Sequence, residues 1–217
     1  MESSYQTKMA HLEIEDLGLL PYKIAWEYQQ NIVQQKLNHP SFPDKLILVE
    51  HPPVYTLGTG ATIENLKFDL NSFSGEIHRI ERGGEVTYHY PGQIVAYPIL
   101  NLRSYQQDLH WYLRQLEEVI ICLLAKYDVK AERIKGLTGV WVNNTKIAAI
   151  GIKVKRWVTM HGFALNVNGD LSGFNQIIPC GIKDKGVTKL SNFLPSISVE
   201  DVKPELVKTF ISVFECS

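Results

Sequence analysis

Apolar positions along the chain follow two different periods. Ile24, Tyr28, Ile32 and Leu37 recur at near-helical spacing in a segment without Gly or Pro, which predicts an amphipathic helix over 22–37. Pro40 and Pro43 end it. The run KLILVE, 45–50, predicts a short strand, and the bounded apolar and β-branched runs at 77–80 and 94–100 predict two more. Ser104-x-x-Gln107 reads as a capping box, and Leu109, Tyr112, Leu113, Leu116, Val119, Ile120, Leu123 and Leu124 follow it on one helical face. Three β-rich runs at 139–142, 146–154 and 157–167, the first two separated by Asn143-Asn144, predict a meander. A closing helix starts from a cap at Ser198 or Asp201 and carries Val202, Leu206, Phe210 and Phe214, with Pro204 tolerable only in its first turn. Helices and strands do not alternate regularly enough for a doubly wound parallel sheet. The expected fold class is α+β, a mixed or antiparallel sheet flanked by helices, in a single domain over 1–217.

Composition narrows the functional classes. At 217 residues and 45% hydrophobic content the chain can bury a full core, and a net charge of −1 gives no global pull toward nucleic acid or an anionic membrane. No apolar stretch follows a basic start at the N-terminus, and the longest apolar run, 119–125, is far shorter than a membrane span. A cytoplasmic protein without nucleic-acid or membrane partners is expected. Cys122, Cys180 and Cys216 are odd in number and include no C-x-x-C pair, which argues against a disulfide framework and a thiolate metal site; no metal is expected.

The three thiols differ in setting. Cys122 falls in the apolar run of a helix, where a thiol acts as a small hydrophobe, and Cys216 is beside the chain end. Cys180 stands between Pro179 and Gly181, outside regular structure, with Lys183, Lys185 and Lys189 close by, which suits an accessible, electropositive loop. A thiol of ordinary pKa, about 8.5, is only about 3% thiolate at pH 7, so a nucleophilic role needs an ammonium, an imidazolium or a base beside it. Lys146, His89 and His161 are candidates, and spacing does not choose among them. A lysine that leads into the apolar run I-A-A-I-G is either buried with a partner or a turn lysine in water, the commoner case.

A second dense segment is R-G-G-E-V-T-Y-H-Y-P-G-Q, 82–93. Its glycines allow close backbone approach to a ligand, and a hairpin turn explains them equally well. Small residues recur at Gly151 and in H-G-F-A, 161–164, where missing side chains either line an apolar slot or permit close strand packing.

R-G-G-E-V-T-Y-H-x-P-G-Q with Y-P-I-L, then T-K-I-A-A-I-G, H-G-F-A-L-N-V, I-I-P-C-G-I and G-V-T, in this order over 82–190, resemble the lipoyl(octanoyl) transferase family. H-P-P-V-Y-T-L-G at 51–58 agrees more weakly. The resemblance implies an acyltransferase that moves an octanoyl group from octanoyl-acyl carrier protein, through a cysteine thioester, to a lysine of the lipoyl domains of 2-oxoacid dehydrogenase E2 subunits and of glycine-cleavage H protein. It implies no cofactor, a monomer, and the catalytic-domain fold shared with biotin and lipoate protein ligases. The acyl-bearing cysteine falls on Cys180 and its companion lysine on Lys146. Substrate contacts fall on Arg82, Gly83, Gly84, Glu85, Val86, Thr87, Tyr88 and His89, on Ala149, Ile150 and Gly151, and on Gly162, Phe163 and Ala164. One departure is Tyr90, where the family has Gly; if that position needs φ > 0, a tyrosine is strained there. An ATP-dependent lipoate or octanoate protein ligase is the nearest alternative, and a non-catalytic module that binds lipoyl domains or acyl carrier is the other.

Overall fold

The computed structural model describes residues 12–70, 72–178 and 185–216. In chain order the elements are β1 (Leu12–Leu19), α1 (Tyr22–Asn38), β2 (Asp44–Glu50), β3 (Val54–Leu57), β4 (Glu76–Arg79), β5 (Val86–His89), β6 (Gln93–Ile99), α2 (Leu109–Ala125), β7 (Glu132–Ile134), β8 (Leu137–Val142), β9 (Thr145–Lys155), β10 (Val158–Asn166) and α3 (Val199–Glu215). Seven strands form one sheet in the order β1-β2-β6-β10-β9-β8-β7, and three form a smaller sheet in the order β4-β3-β5. β1 runs parallel to β2 and β3 parallel to β4; every other strand pairing is antiparallel. The expected α+β class with a mixed sheet is what forms.

The unbroken apolar run of β2 follows from burial on two sides. Leu46 and Leu48 join the core beneath α2 and α3, while Ile47 and Val49 join the core beneath α1. A strand covered on both faces needs no polar alternation. β1 is different: it lies at the sheet's margin with Glu13 and Glu15 turned to the Lys45 ammonium, Glu13 at 2.6 Å and Glu15 in direct contact. Asn143 and Asn144 both have positive φ, +47° and +66°, in the tight turn that joins β8 to β9. Asparagine tolerates that region, and such a turn matches the twist of a hairpin.

One capping expectation and one proline position are corrected. Ser104 lies in a short 3-10 turn (Leu102–Ser104), and α2 is capped instead by Asp108, whose carboxylate accepts from His110 N–H at 2.7 Å and Trp111 N–H at 3.1 Å. Asp108 sits directly before the first helical residue, where an acceptor meets the orphan donors; Ser104 is one turn too early. α3 starts as expected from Ser198, in a reciprocal cap with Asp201. Pro204, however, is the sixth helical residue, beyond the first turn, so the helix tolerates the loss of one interior backbone donor. β1, β3 and β5 had no expectation in the sequence. β3 and β5 are four residues long, too short for a period to show, and β1 has no fully buried residue to mark an inner face.

Replacing Asp108 by Ala is expected to lower stability by about 1 kcal/mol, and Ser104 by Ala to stay within about 0.5 kcal/mol, in urea unfolding followed by circular dichroism.

Candidate active site

The smaller sheet and the larger one meet at R-G-G. Gly83 N–H donates to Ile152 O of β9 at 2.9 Å. That approach needs Gly151: a Cβ there would stand 2.9 Å from Gly83 O and 3.0 Å from Arg82 Cδ. Gly58 is constrained in the same way, since a Cβ would come within 2.2 Å of Gly84 O. Arg82 clamps the turn to β3, its Nη2 donating to Thr56 O at 2.7 Å and to Thr56 Oγ1 at 3.0 Å. Its guanidinium keeps its charge although the residue is buried.

Between these elements lies a narrow cavity of about 50 Å³, open to solvent at its mouth. One wall is β9 and β10, with Ala149, Ile150, Gly151, Gly162, Phe163 and Ala164; the other is Arg82, Gly84, Glu85, Val86, Thr87 and His89. Gly151 and Gly162 face each other in register. The small residues differ in what they do here. Gly162 is a packing glycine, because a Cβ would lie 2.1 Å from Ala96 O, whereas Ala149 and Ala164 keep the wall low. Tyr22, Val95, Tyr97 and His161 complete the lining. The sequence reading did not place the first three, which arrive from α1 and β6 through tertiary packing alone.

Two of the sequence-expected contact residues do not border this cavity. Gly83 borders a neighbouring cleft together with Lys146, Ile150 and Gly151. Tyr88 turns its ring away, into a cluster with Tyr55 at 4.9 Å and Tyr90 at 5.4 Å. Alternation along β5 explains this, since Thr87 and His89 take the opposite face. The concern over Tyr90 is removed: its φ is not positive, and its ring lies over Gly169, where a Cβ would come within 2.6 Å of it. The left-handed residue of this turn is Gly92, at φ +94°.

Lys146 is buried, with its ammonium 4.7 Å from the centre of the Trp141 ring, so the reading of it as a turn lysine in water does not hold. Its backbone is flanked by the distal end of the cysteine-bearing loop: Lys146 N–H donates to Gly186 O and Thr188 N–H to Lys146 O, each at 2.9 Å. Cys180 lies outside the described residues. Cys122 is half-buried on α2 with Sγ 3.4 Å from Glu118 Oε1, and burial pushes its thiol pKa up, as suits an unreactive cysteine.

Three histidines gather around the cavity, and burial holds all of them neutral. The pKa of His89 falls to about 3, and those of His51 and His161 to about 4, in each case chiefly through loss of water around the ring. Neither His89 nor His161 is therefore an imidazolium beside a thiol at neutral pH. His51 is held at both nitrogens, by Leu20 O at 2.7 Å and Tyr97 Oη at 2.8 Å. His161 has φ +59°, and neither ring nitrogen has a partner among the described residues. Among the described residues no group of side chains is suited to hold a metal ion. No helix in them is long and apolar enough to cross a membrane.

A mixed sheet with a glycine-bearing turn laid across it is the fold of lipoyl and biotin protein ligases. Lipoate-protein ligase A bound with ATP superposes at a TM-score of 0.71 with 16% identity, over 94% of this chain and 84% of that one. A biotin protein ligase from Aquifex aeolicus follows at 0.52 and 12%, over 94% and 69%. The lipoyl protein ligase A/B catalytic domain matches residues 21–211, and an octanoyltransferase of Nostoc sp. strain PCC 7120 is 59% identical over 91% of this chain and 89% of its own. The chain belongs to the lipoyl protein ligase A/B catalytic-domain family, on its octanoyltransferase side, and is an acyltransferase.

The unfolded chain holds histidine near pKa 6.5, so as pH falls it binds protons before the folded protein does. Stability is fully present above that value and is expected to drop as pH falls from about 6.5 toward 4. His161→Asn, which tolerates the left-handed backbone, is expected to flatten the slope by on the order of 2 kcal/mol across that window, measured as urea unfolding against pH.

Proposed function

We propose that the protein takes an octanoyl group from octanoyl-acyl carrier protein onto Cys180 as a thioester and passes it to a lysine of a lipoyl domain, in E2 subunits and in H protein, with Lys146 as the charge partner of the thiol. The observation that carries this reading is the placement of Lys146. It is buried on the strand that also supplies Ala149, Ile150 and Gly151 to the cavity, and it pairs through its backbone with Gly186 and Thr188. Cys180 is six positions before Gly186 in the chain.

The chemistry fits these parts. Exchange of one thioester for another is close to balanced, and attack by an amine yields a more stable amide, so no ATP is consumed. The barrier falls on the thiol. An ammonium that lowered its pKa by two units would contribute roughly 2.7 kcal/mol to the thiolate, and a larger shift would blunt its nucleophilicity. The octanoyl chain gains about 0.8 kcal/mol for each methylene it buries along β9 and β10. Backbone N–H groups in the glycine-bearing turns are suited to the tetrahedral oxyanion. As substrate contacts we propose Arg82–His89, Ala149–Gly151 and Gly162–Ala164, with Gly83 acting through the backbone and Tyr88 by packing beneath the turn. The site works within one chain, in the cytoplasm.

Intact-mass analysis after mixing with octanoyl-acyl carrier protein and no ATP is expected to show one octanoyl adduct on the wild type and none on Cys180→Ser. Lys146→Ala is expected to form the adduct at least about tenfold more slowly. Modification that required free octanoate and ATP would instead identify a ligase.

A further inference from the structure

His89 lines the cavity, and its Nδ1 lies 2.8 Å from Gln93 Oε1. Which atom donates is decided two residues away. Gln93 Nε2 lies 3.2 Å from Tyr88 O, a backbone carbonyl that can only accept, so the group facing it must be the amide NH₂. The same NH₂ donates to Asn166 Oδ1 at 2.9 Å. Asn166 is fixed in turn, because its Nδ2 lies 3.0 Å from Thr188 O, a second backbone carbonyl. With both ends anchored on carbonyls neither amide can flip, and Gln93 must offer oxygen to His89. His89 Nδ1 therefore carries the proton. Nε2 is left with a lone pair and makes no hydrogen bond among the described residues, on a residue that lines the cavity.

A lone-pair nitrogen cannot stabilise an oxyanion, since it would set one acceptor against another; that role belongs to N–H donors. It calls for a donor from the ligand. An octanoyl chain and its thioester carry none. The reaction proposed above brings two: an amide N–H in the thiol-bearing arm of the carrier, which departs with the carrier, and the amine of the acceptor lysine. Only the amine has to be aimed at the thioester carbonyl. Gln93 and Asn166 also border a small cleft with Lys146 and Ala149, and Thr188 N–H bonds to Lys146 O, so the chain of amides ends at the lysine side of the cavity.

We propose that Gln93 and Asn166 are positioning residues that lock His89 as an Nε2 acceptor, and that His89 orients the incoming amine by accepting its N–H. The proposal rests on the cysteine route above and deepens it, by assigning the second half-reaction its own residues. His89 donates to Gln93, Gln93 to Asn166 and Asn166 to the Thr188 carbonyl, a chain with no charged member. The neutral ring neither repels the amine nor competes with it for a proton.

The tautomer is read by nitrogen-15 NMR of histidine-labelled protein without substrate, with His89 identified by the loss of its signals in His89→Phe. The wild type is expected to show a protonated Nδ1 and an unprotonated Nε2. Gln93→Leu is expected to shift His89 toward the Nε2–H form. In single-turnover assays it should form the octanoyl-enzyme within about twofold of wild type but pass the group to a lipoyl domain about tenfold more slowly, the cost of one hydrogen bond. Gln93→Glu, which retains an acceptor for Nδ1–H, is expected to keep the wild-type tautomer and recover part of the transfer rate; it also supplies the comparison should Gln93→Leu fold poorly. An Nε2–H tautomer in the wild type would overturn the proposal, as would equal slowing of both half-reactions or no slowing of transfer. Failure of the wild type to form any octanoyl-enzyme would overturn the cysteine route instead, and is told apart because the NMR measurement uses no substrate.

Discussion

The hydrogen bond from Gly83 to Ile152 joins two sheets that share no ladder, and the rest of the site depends on it. It forms only because Gly151 and Gly58 present no Cβ to the turn. With side chains absent, backbone meets backbone, and the gap that remains beside the contact is the cavity. Where β9, β10 and the turn meet, its walls are backbone and short side chains, a lining that fixes the cavity's shape more closely than flexible side chains would. Arg82 completes the joint by tying the turn to Thr56, so one residue contributes both a structural clamp and a standing positive charge.

Burial then sorts the titratable groups. The histidines lose their charge because water is removed from around them, while Arg82 keeps its own through hydrogen bonds to the backbone and Thr56. Hydrogen-bond direction becomes the information that matters around a neutral ring, and backbone carbonyls, whose polarity cannot reverse, supply it.

Long periodic segments were legible in the sequence because their pattern repeats enough to be counted. α1, α2 and α3 and the β8-β9-β10 meander all stand within a few residues of where periodicity placed them. The four-residue strands β3 and β5 and the cap of α2 were not, since a polar residue one turn too early, as at Ser104, looks the same as a cap until the helix is seen to begin at Leu109. In the site, chemistry-bearing residue types marked Lys146, His89 and His161, and the ordered motifs marked the two walls. Tyr22 left no local signal, and Gln93 and Asn166 stood inside the quoted motifs with no role assigned; their roles come from partners up to 73 positions away.

β1 has a further consequence, for the behaviour of many copies together. A marginal strand offers unpaired backbone groups to any other strand that drifts alongside, and a sheet with one long apolar edge would grow by accretion. Here Glu13 and Glu15 stand on that strand beside a single lysine from its neighbour, and Asp16 is held by Lys203 at 2.9 Å. A second copy approaching the same margin would bring its own carboxylates up against these. A charged strand of this kind is poorly matched to edge-to-edge pairing with its own copy.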